Sequence, residues 1–234
     1  IVDNHTYNVL RSLKTIHEAK TGGQQRQSII IVGLLVLIFG FVSCFWLYLW
    51  SFRLKIFHNK RSVLFMTLCL FVSCVVTELC VTYSLFNVYI IPLAIVPIVV
   101  RTFFDSRTAL FLHMVISLIC ALMVPFPHEF LTMQLIAGMV VTFSLKDLSE
   151  RSQLIRSAFL VFLAYVLVYL GITLYQEGDL QKINWLMLLY FGINFILLTF
   201  SYILVYLLEK TFGYVSNITL VELSSINTPI LKKL

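Results

Sequence analysis

Long apolar runs separated by short polar gaps, with the positive charge gathered in alternate gaps, constrain this chain more than any single motif. The runs fall at about 28–51, 63–84, 87–101, 108–125, 130–145, 155–175 and 183–208. The gap after the first carries Arg53, Lys55, Lys60 and Arg61. The gap after the third carries Arg101 and Arg107, and the gap after the fifth Lys146, Arg151 and Arg156. Lys210, Lys232 and Lys233 follow the seventh, whereas 84–87 and 125–129 hold no Lys or Arg and 176–182 holds only Lys182. Lys and Arg collect in short cytoplasmic loops. The expected architecture is all-α: a polytopic membrane helix bundle with about seven transmembrane segments, its N-terminus outside and its C-terminus cytoplasmic.

Composition agrees with that class. The hydrophobic fraction is 60% and the charged fraction 12%, against roughly 45–50% and about 25% in soluble domains. A net charge of +6 raises the question of nucleic acid. The basic residues are instead scattered over loops, where anionic headgroups would meet them, so the lipid bilayer is the expected partner and nucleic acid is not. Cys44, Cys69, Cys74, Cys80 and Cys120 all lie inside apolar runs, where a free thiol behaves as a small packing residue.

Three regions follow: 1–27 as an extracellular juxtamembrane linker, 28–208 as the transmembrane domain, and 209–234 as a cytoplasmic linker. The linker 1–27 carries Arg11, Lys14, Lys20 and Arg26, a breach of the charge rule that long translocated domains are allowed. The chain opens on Ile1-Val2-Asp3 without an initiator Met, and the expectation is a piece of a longer protein with an extracellular domain upstream. A capped helix is expected after Asp3, Asn4 or Thr6, ending at Gly22-Gly23.

Within the membrane, the run 87–101 is short and holds Pro92 and Pro97. Each proline removes a backbone donor and crowds the preceding turn, so a helix break is expected at one or both. The carbonyls so freed must find partners in neighbouring helices or a cavity. Glu78 is the one acidic residue deep inside an apolar run. A carboxylate there is costly, which predicts that it faces the bundle interior with a polar partner. His113 stands alone on its run, with His5, His17, His58 and His128 all in loops, a pattern that does not make a haem or metal site. Gln134 and Asn194 read as polar contacts between helices.

No catalytic constellation is present: no His-Glu-x-x-His, no Gly-x-Ser-x-Gly, no P-loop. No catalytic, cofactor-binding or metal-binding residues are read in this chain.

Three stretches together resemble the membrane domain of the bacterial 7TM receptors with intracellular HD hydrolase. The first is Pro92–Pro97 running into Arg101-Thr102-Phe103-Phe104-Asp105-Ser106-Arg107-Thr108-Ala109-Leu110. The second is Ala137-Gly138, Phe143-Ser144-Leu145 and Arg151-Ser152-Gln153-Leu154. The third and most specific is Leu208-Glu209-Lys210-Thr211-Phe212-Gly213 followed by Thr219–Leu234, with Glu222, Asn227 and Pro229. The opening Ile1-Val2-Asp3-x-x-Thr6-Tyr7 looks like the exit of the family's extracellular domain. The resemblance implies a signal-transmitting domain of a cyclic-di-AMP phosphodiesterase in the bacterial inner membrane. It would couple an extracellular domain to a cytoplasmic HD domain that binds two metal ions, Mn or Fe. The fused domains, and a homodimeric copy, are the partners it implies. None of the histidines here matches the HD motif. The alternatives are a small-molecule transporter or substrate-binding membrane subunit, using Glu78 and the broken segment, and a structural anchor.

Overall fold

A computed structural model describes residues 11–13, 23–83, 86–145, 152–179, 181 and 183–212. Expectations for 1–10, for Lys146 and Arg151, and for Glu222, Asn227 and Pro229 fall outside these residues. The chain divides into two units, 1–44 and 45–234. The first contributes the larger part of helix α1 (Gly23–Phe52), an apolar stretch without an acidic residue.

From residue 45 onward every regular element among the described residues is a helix. After the end of α1 come α2 (Leu54–Phe57), α3 (Lys60–Thr82), a single 3-10 turn (Val88–Ile90), α4 (Ile95–Phe103) and α5 (Ser106–Ala121). Then follow α6 (Pro127–Ser144), α7 (Ser152–Glu177), α8 (Trp185–Thr199) and α9 (Ser201–Phe212). Among the described residues, four stretches are long and apolar enough to cross a membrane: Ser28–Phe52, Lys60–Thr82, Ser152–Glu177 and Trp185–Thr211. Val88–Phe103 and Ser106–Ala121 are shorter apolar helices. The helices thus follow the apolar runs, with four of the stretches meeting the length and hydropathy that a crossing requires.

The short helices are the inner ones. In α4, Val96–Val100 and Thr102 are buried; in α5, buried residues cover most of the circumference, from Thr108 and Ala109 through Leu112, His113, Val115 and Ile116 to Cys120, and leave a stripe through Phe111, Met114 and Leu118 part-buried or exposed. A helix apolar all round belongs in an interior. α3, α4 and α6 pack on α5, α7 on α6, and α8 on α7. Phe65, Phe130 and Phe191 are the largest wholly buried side chains. Lipid tails are as apolar as leucine, so packing and polar contacts hold such helices together. The buried positions of α3 fit that rule: Ser62, Ser73 and Thr77 face inward with Phe65 and Met66, while Leu64, Leu68, Phe71, Val75 and Leu79 are exposed.

Three of the helices, α3, α5 and α8, start at side-chain caps. Asn59 accepts from Arg61 N, Asn184 from Leu186 N, and Asp105 from Thr108 N. Asp105 does more than cap α5. It also accepts from the Thr108 hydroxyl at 2.7 Å and forms an ion pair with Arg53 from the turn after α1. Tyr48 stacks on Phe111 of α5 with ring centroids 4.3 Å apart and lies 3.5 Å from the Thr108 hydroxyl. The Arg53 pKa is raised, first by its hydrogen bond to Tyr48, partly opposed by burial, and then by the charge of Asp105.

This arrangement separates cap from charge. Asp105→Ala is expected to lower unfolding stability by about 1–2 kcal/mol, the worth of an N-cap. Asp105→Asn, which keeps an acceptor for Thr108, is expected to cost less than about 1 kcal/mol, the worth of a part-exposed ion pair. Denaturation of the two variants in matched detergent measures the order; equal losses would show that the ion pair carries the junction.

Candidate functional site

Two buried polar junctions stand out in the interior. The first lies where the chain fails to be a helix. In a continuous helix the Tyr89 carbonyl would accept from the N–H of Leu93. Pro92 has no N–H, the chain turns, and Leu93 N donates instead to the Ile91 carbonyl at 2.9 Å. Ile91 N closes the 3-10 turn on Val88 O at 3.2 Å. Tyr89 O is thereby left without a local donor. Asn194 of α8 supplies it: Nδ2 donates to Tyr89 O at 2.9 Å and to Ile91 O at 2.9 Å. Asn194 is wholly buried, and its Oδ1 has no hydrogen-bond partner among the described residues. Phe191, one turn earlier on α8, meets Tyr89 edge-to-face at 6.0 Å and stacks on Tyr165 of α7 at 5.6 Å. The last long apolar stretch therefore grips the break through an amide and an aromatic ring.

The second junction joins α5, α6 and α7. His113 Nε2–H donates to the Gln134 carbonyl at 2.9 Å, which places the ring proton on Nε2; Nδ1 is buried without a partner among the described residues. Ser117 donates to His113 O at 2.7 Å. The Gln134 side chain accepts from the Tyr165 hydroxyl at 3.1 Å. Gly138, one turn beyond Gln134, lets the imidazole lie against the α6 backbone: a Cβ there would stand 2.4 Å from His113 Cδ2. Ser144 donates to Ser157 at 2.6 Å, a further link between α6 and α7.

The structure brings Gln134 and His113 together and sets Asn194 at the Pro92 break. It corrects two expectations. Glu78 is exposed rather than interior, and its partner is Thr82 of the same helix, whose hydroxyl donates to Oε1 at 2.8 Å. A turn of helix places them on one face, so the carboxylate is answered locally and needs no other helix. Pro97 breaks nothing. It is the third residue of α4, in the first turn, where the N–H it lacks has no required acceptor. The Leu93 carbonyl, which that N–H would have met, accepts from Val96 N at 3.1 Å.

The remaining motif residues sit at helix ends. Arg101 Nη1 donates to Phe104 O at 3.2 Å across the α4–α5 turn; Ser106 opens α5, Arg107 is exposed, and Glu209 is half-buried on α9. Tyr89, Gly138, Tyr165 and Phe191 were not foreseen as site residues. Gly138 had a signal, since it follows Gln134 by one helical turn. Tyr165 and Phe191 had none, being aromatic residues in apolar runs like many others. Among the described residues no three His, Cys, Asp or Glu side chains gather to hold a metal ion.

The family model described as "7TM receptor with intracellular HD hydrolase" matches residues 28–216. The chain belongs to that family. No curated protein and no solved structure matches it. Family membership places both junctions in the membrane part of a receptor whose name joins it to an intracellular HD hydrolase. The Asp105-Ser106-Arg107 stretch lies inside the matched range, and Asp105 there is both cap and ion-pair partner.

Both junctions make tests. Asn194→Leu strips two buried carbonyls of a donor and is expected to lower stability by about 1–3 kcal/mol, read as a thermal shift in lipid nanodiscs. Gly138→Ala would gain slightly in helix propensity but must displace an imidazole held at both α5 and α6. Overpacking of this kind costs about 1–3 kcal/mol. Combining Gly138→Ala with His113→Ala should cost less than the sum of the two, because the second removes what the first strikes. Strict additivity would show that the close approach is not what makes Gly138 necessary.

Proposed function

We propose that this chain is the signal-transmitting membrane domain of a receptor-type cyclic-di-AMP phosphodiesterase in the bacterial cytoplasmic membrane. In this reading it crosses the membrane seven times, N-terminus outside and C-terminus inside, and couples an extracellular domain to a cytoplasmic HD hydrolase. The family match over residues 28–216 carries the reading. The alternate-gap charge pattern supports the orientation. α1, α3, α7 and the α8–α9 stretch supply four crossings, and the shorter segments 88–103, 106–121 and 127–144 supply three.

Transmission requires an element with two arrangements that a signal biases differently. The Val88–Ala94 break is a candidate, because its backbone is held by the α8 side chain Asn194 and the chain beyond α8 continues into α9. A shift of the break would reach the C-terminal stretch through one amide. The described residues assemble no cluster fit for two metal ions, so the proposed hydrolysis rests on residues of the HD domain. Metal-assisted phosphodiester cleavage needs clustered ligands that hold ions and activate water. The transporter alternative loses one of its supports, since Glu78 does not point into the bundle.

Assays of the full-length protein and of the 234-residue chain, each with manganese and with a chelator, test the proposal. Turnover of cyclic di-AMP is expected from the full-length protein only and is expected to vanish with the chelator. Turnover by the short chain, or a full-length protein that is inactive with manganese, would overturn the assignment.

A further inference from the structure

A cavity of about 410 Å³ opens at the end of the bundle that carries the 3-10 turn and the turn after α5. That volume falls within the range of about 300–1,000 Å³ typical of small-molecule sites. Its walls are Val81 of α3, Phe86 before the 3-10 turn, Val124 and Phe126 after α5, Phe130 of α6 and Tyr190 of α8. None of the described residues lining it is Asp, Glu, Lys, Arg or His.

One polar group in this wall is poorly satisfied. Asn87 Oδ1 accepts from Tyr89 N at 3.0 Å, which fixes the orientation of the amide. Among the described residues its Nδ2 donates only to the Met187 sulfur, at 3.9 Å. A thioether is a weak acceptor, and an oxygen would serve the amide better. We propose that this cavity binds a neutral amphiphile, an apolar body bearing one hydrogen-bond-accepting oxygen that displaces Met187 as the partner of Asn87. A charged head would find no counter-ion among the lining residues, and desolvating it there would be costly. A pure hydrocarbon would leave the Asn87 donor on sulfur. A two-chain phospholipid is too large for the volume, so the occupant is a free single-chain or ring compound. The proposal rests on the cavity itself and not on the proposed hydrolase, and its readout is binding.

Cys80 lines the cavity and provides the probe, while Cys44, exposed on α1, provides an internal control. The full chain in lipid nanodiscs is alkylated with a maleimide, and each cysteine is followed by peptide mass spectrometry. Methyl decanoate is expected to slow Cys80 alkylation at least fivefold while leaving Cys44 unchanged. Decane and decanoate at equal membrane concentration are expected to slow it less than twofold. Asn87→Asp, which keeps the acceptor for Tyr89 N–H and removes the donor, is expected to abolish the difference between ester and alkane. Met187→Leu is expected to preserve it. Val81→Trp, which fills the cavity from a different helix, is expected to abolish protection and supplies the test if Asn87→Asp does not fold. Equal protection by ester and decane, protection by decanoate, or no protection by the ester in the wild-type chain would each overturn the proposal.

Discussion

A buried peptide carbonyl has no water to accept from, and it must be answered by protein. Pro92 creates such a carbonyl at Tyr89, and Asn194 answers it from a residue 105 positions away. Most of the interior can be understood from that obligation. The 3-10 turn and the Pro92 bend shorten the segment, so α4 begins late and is only 9 residues long. A helix that short cannot cross a hydrocarbon core of about 30 Å by itself. It is enclosed instead by α5, α6 and α9, with Phe103 edge-on to Phe65 of α3 and Val96–Val100 buried.

Enclosure in turn explains where the polar side chains are. Packing and interhelical hydrogen bonds hold membrane helices together, and each bond contributes about 0.6 kcal/mol on average. Such small terms need close approach, and Gly138 provides it by letting the His113 ring meet α6 at the backbone. The His113–Gln134–Tyr165 chain then ties α5, α6 and α7 through side chains whose proton positions are dictated by their carbonyl and amide partners. The two junctions share an aromatic neighbour: Phe191 touches both Tyr89, beside the break, and Tyr165, at the end of the histidine chain. The break and the three-helix junction are thus contiguous in packing.

Some of this was legible in the sequence, and the reasons differ by residue. The charge alternation marked the polar gaps because Lys and Arg follow a membrane rule that does not depend on packing. The Pro92 break was legible because proline acts through its own backbone. Pro97 misled because its effect depends on where the helix begins, and a helix starting at Ile95 makes it harmless. Glu78 misled for a physical reason particular to membranes. Both faces of α3 are apolar, so hydropathy gives no phase; Val75, Val76 and Leu79 beside Glu78 are exposed while Ser73 and Thr77 are buried. The inward face of α3 was written in its small polar residues. Asn194 was legible as a contact between helices, but its partners were backbone atoms, which carry no sequence signal.

If the proposed transmission runs through the break, its most direct test is the turnover of the full-length protein with the Asn194 amide removed. Cyclic-di-AMP hydrolysis by Asn194→Leu would be compared with wild type in nanodiscs of one lipid composition, at saturating manganese. The activity of a soluble HD fragment serves as the reference for intact catalytic residues. The account predicts that turnover shifts at least threefold, in either direction, while the manganese dependence stays that of wild type. Turnover equal to wild type, in a protein verified to retain its helical content, would contradict a coupling that passes through Asn194.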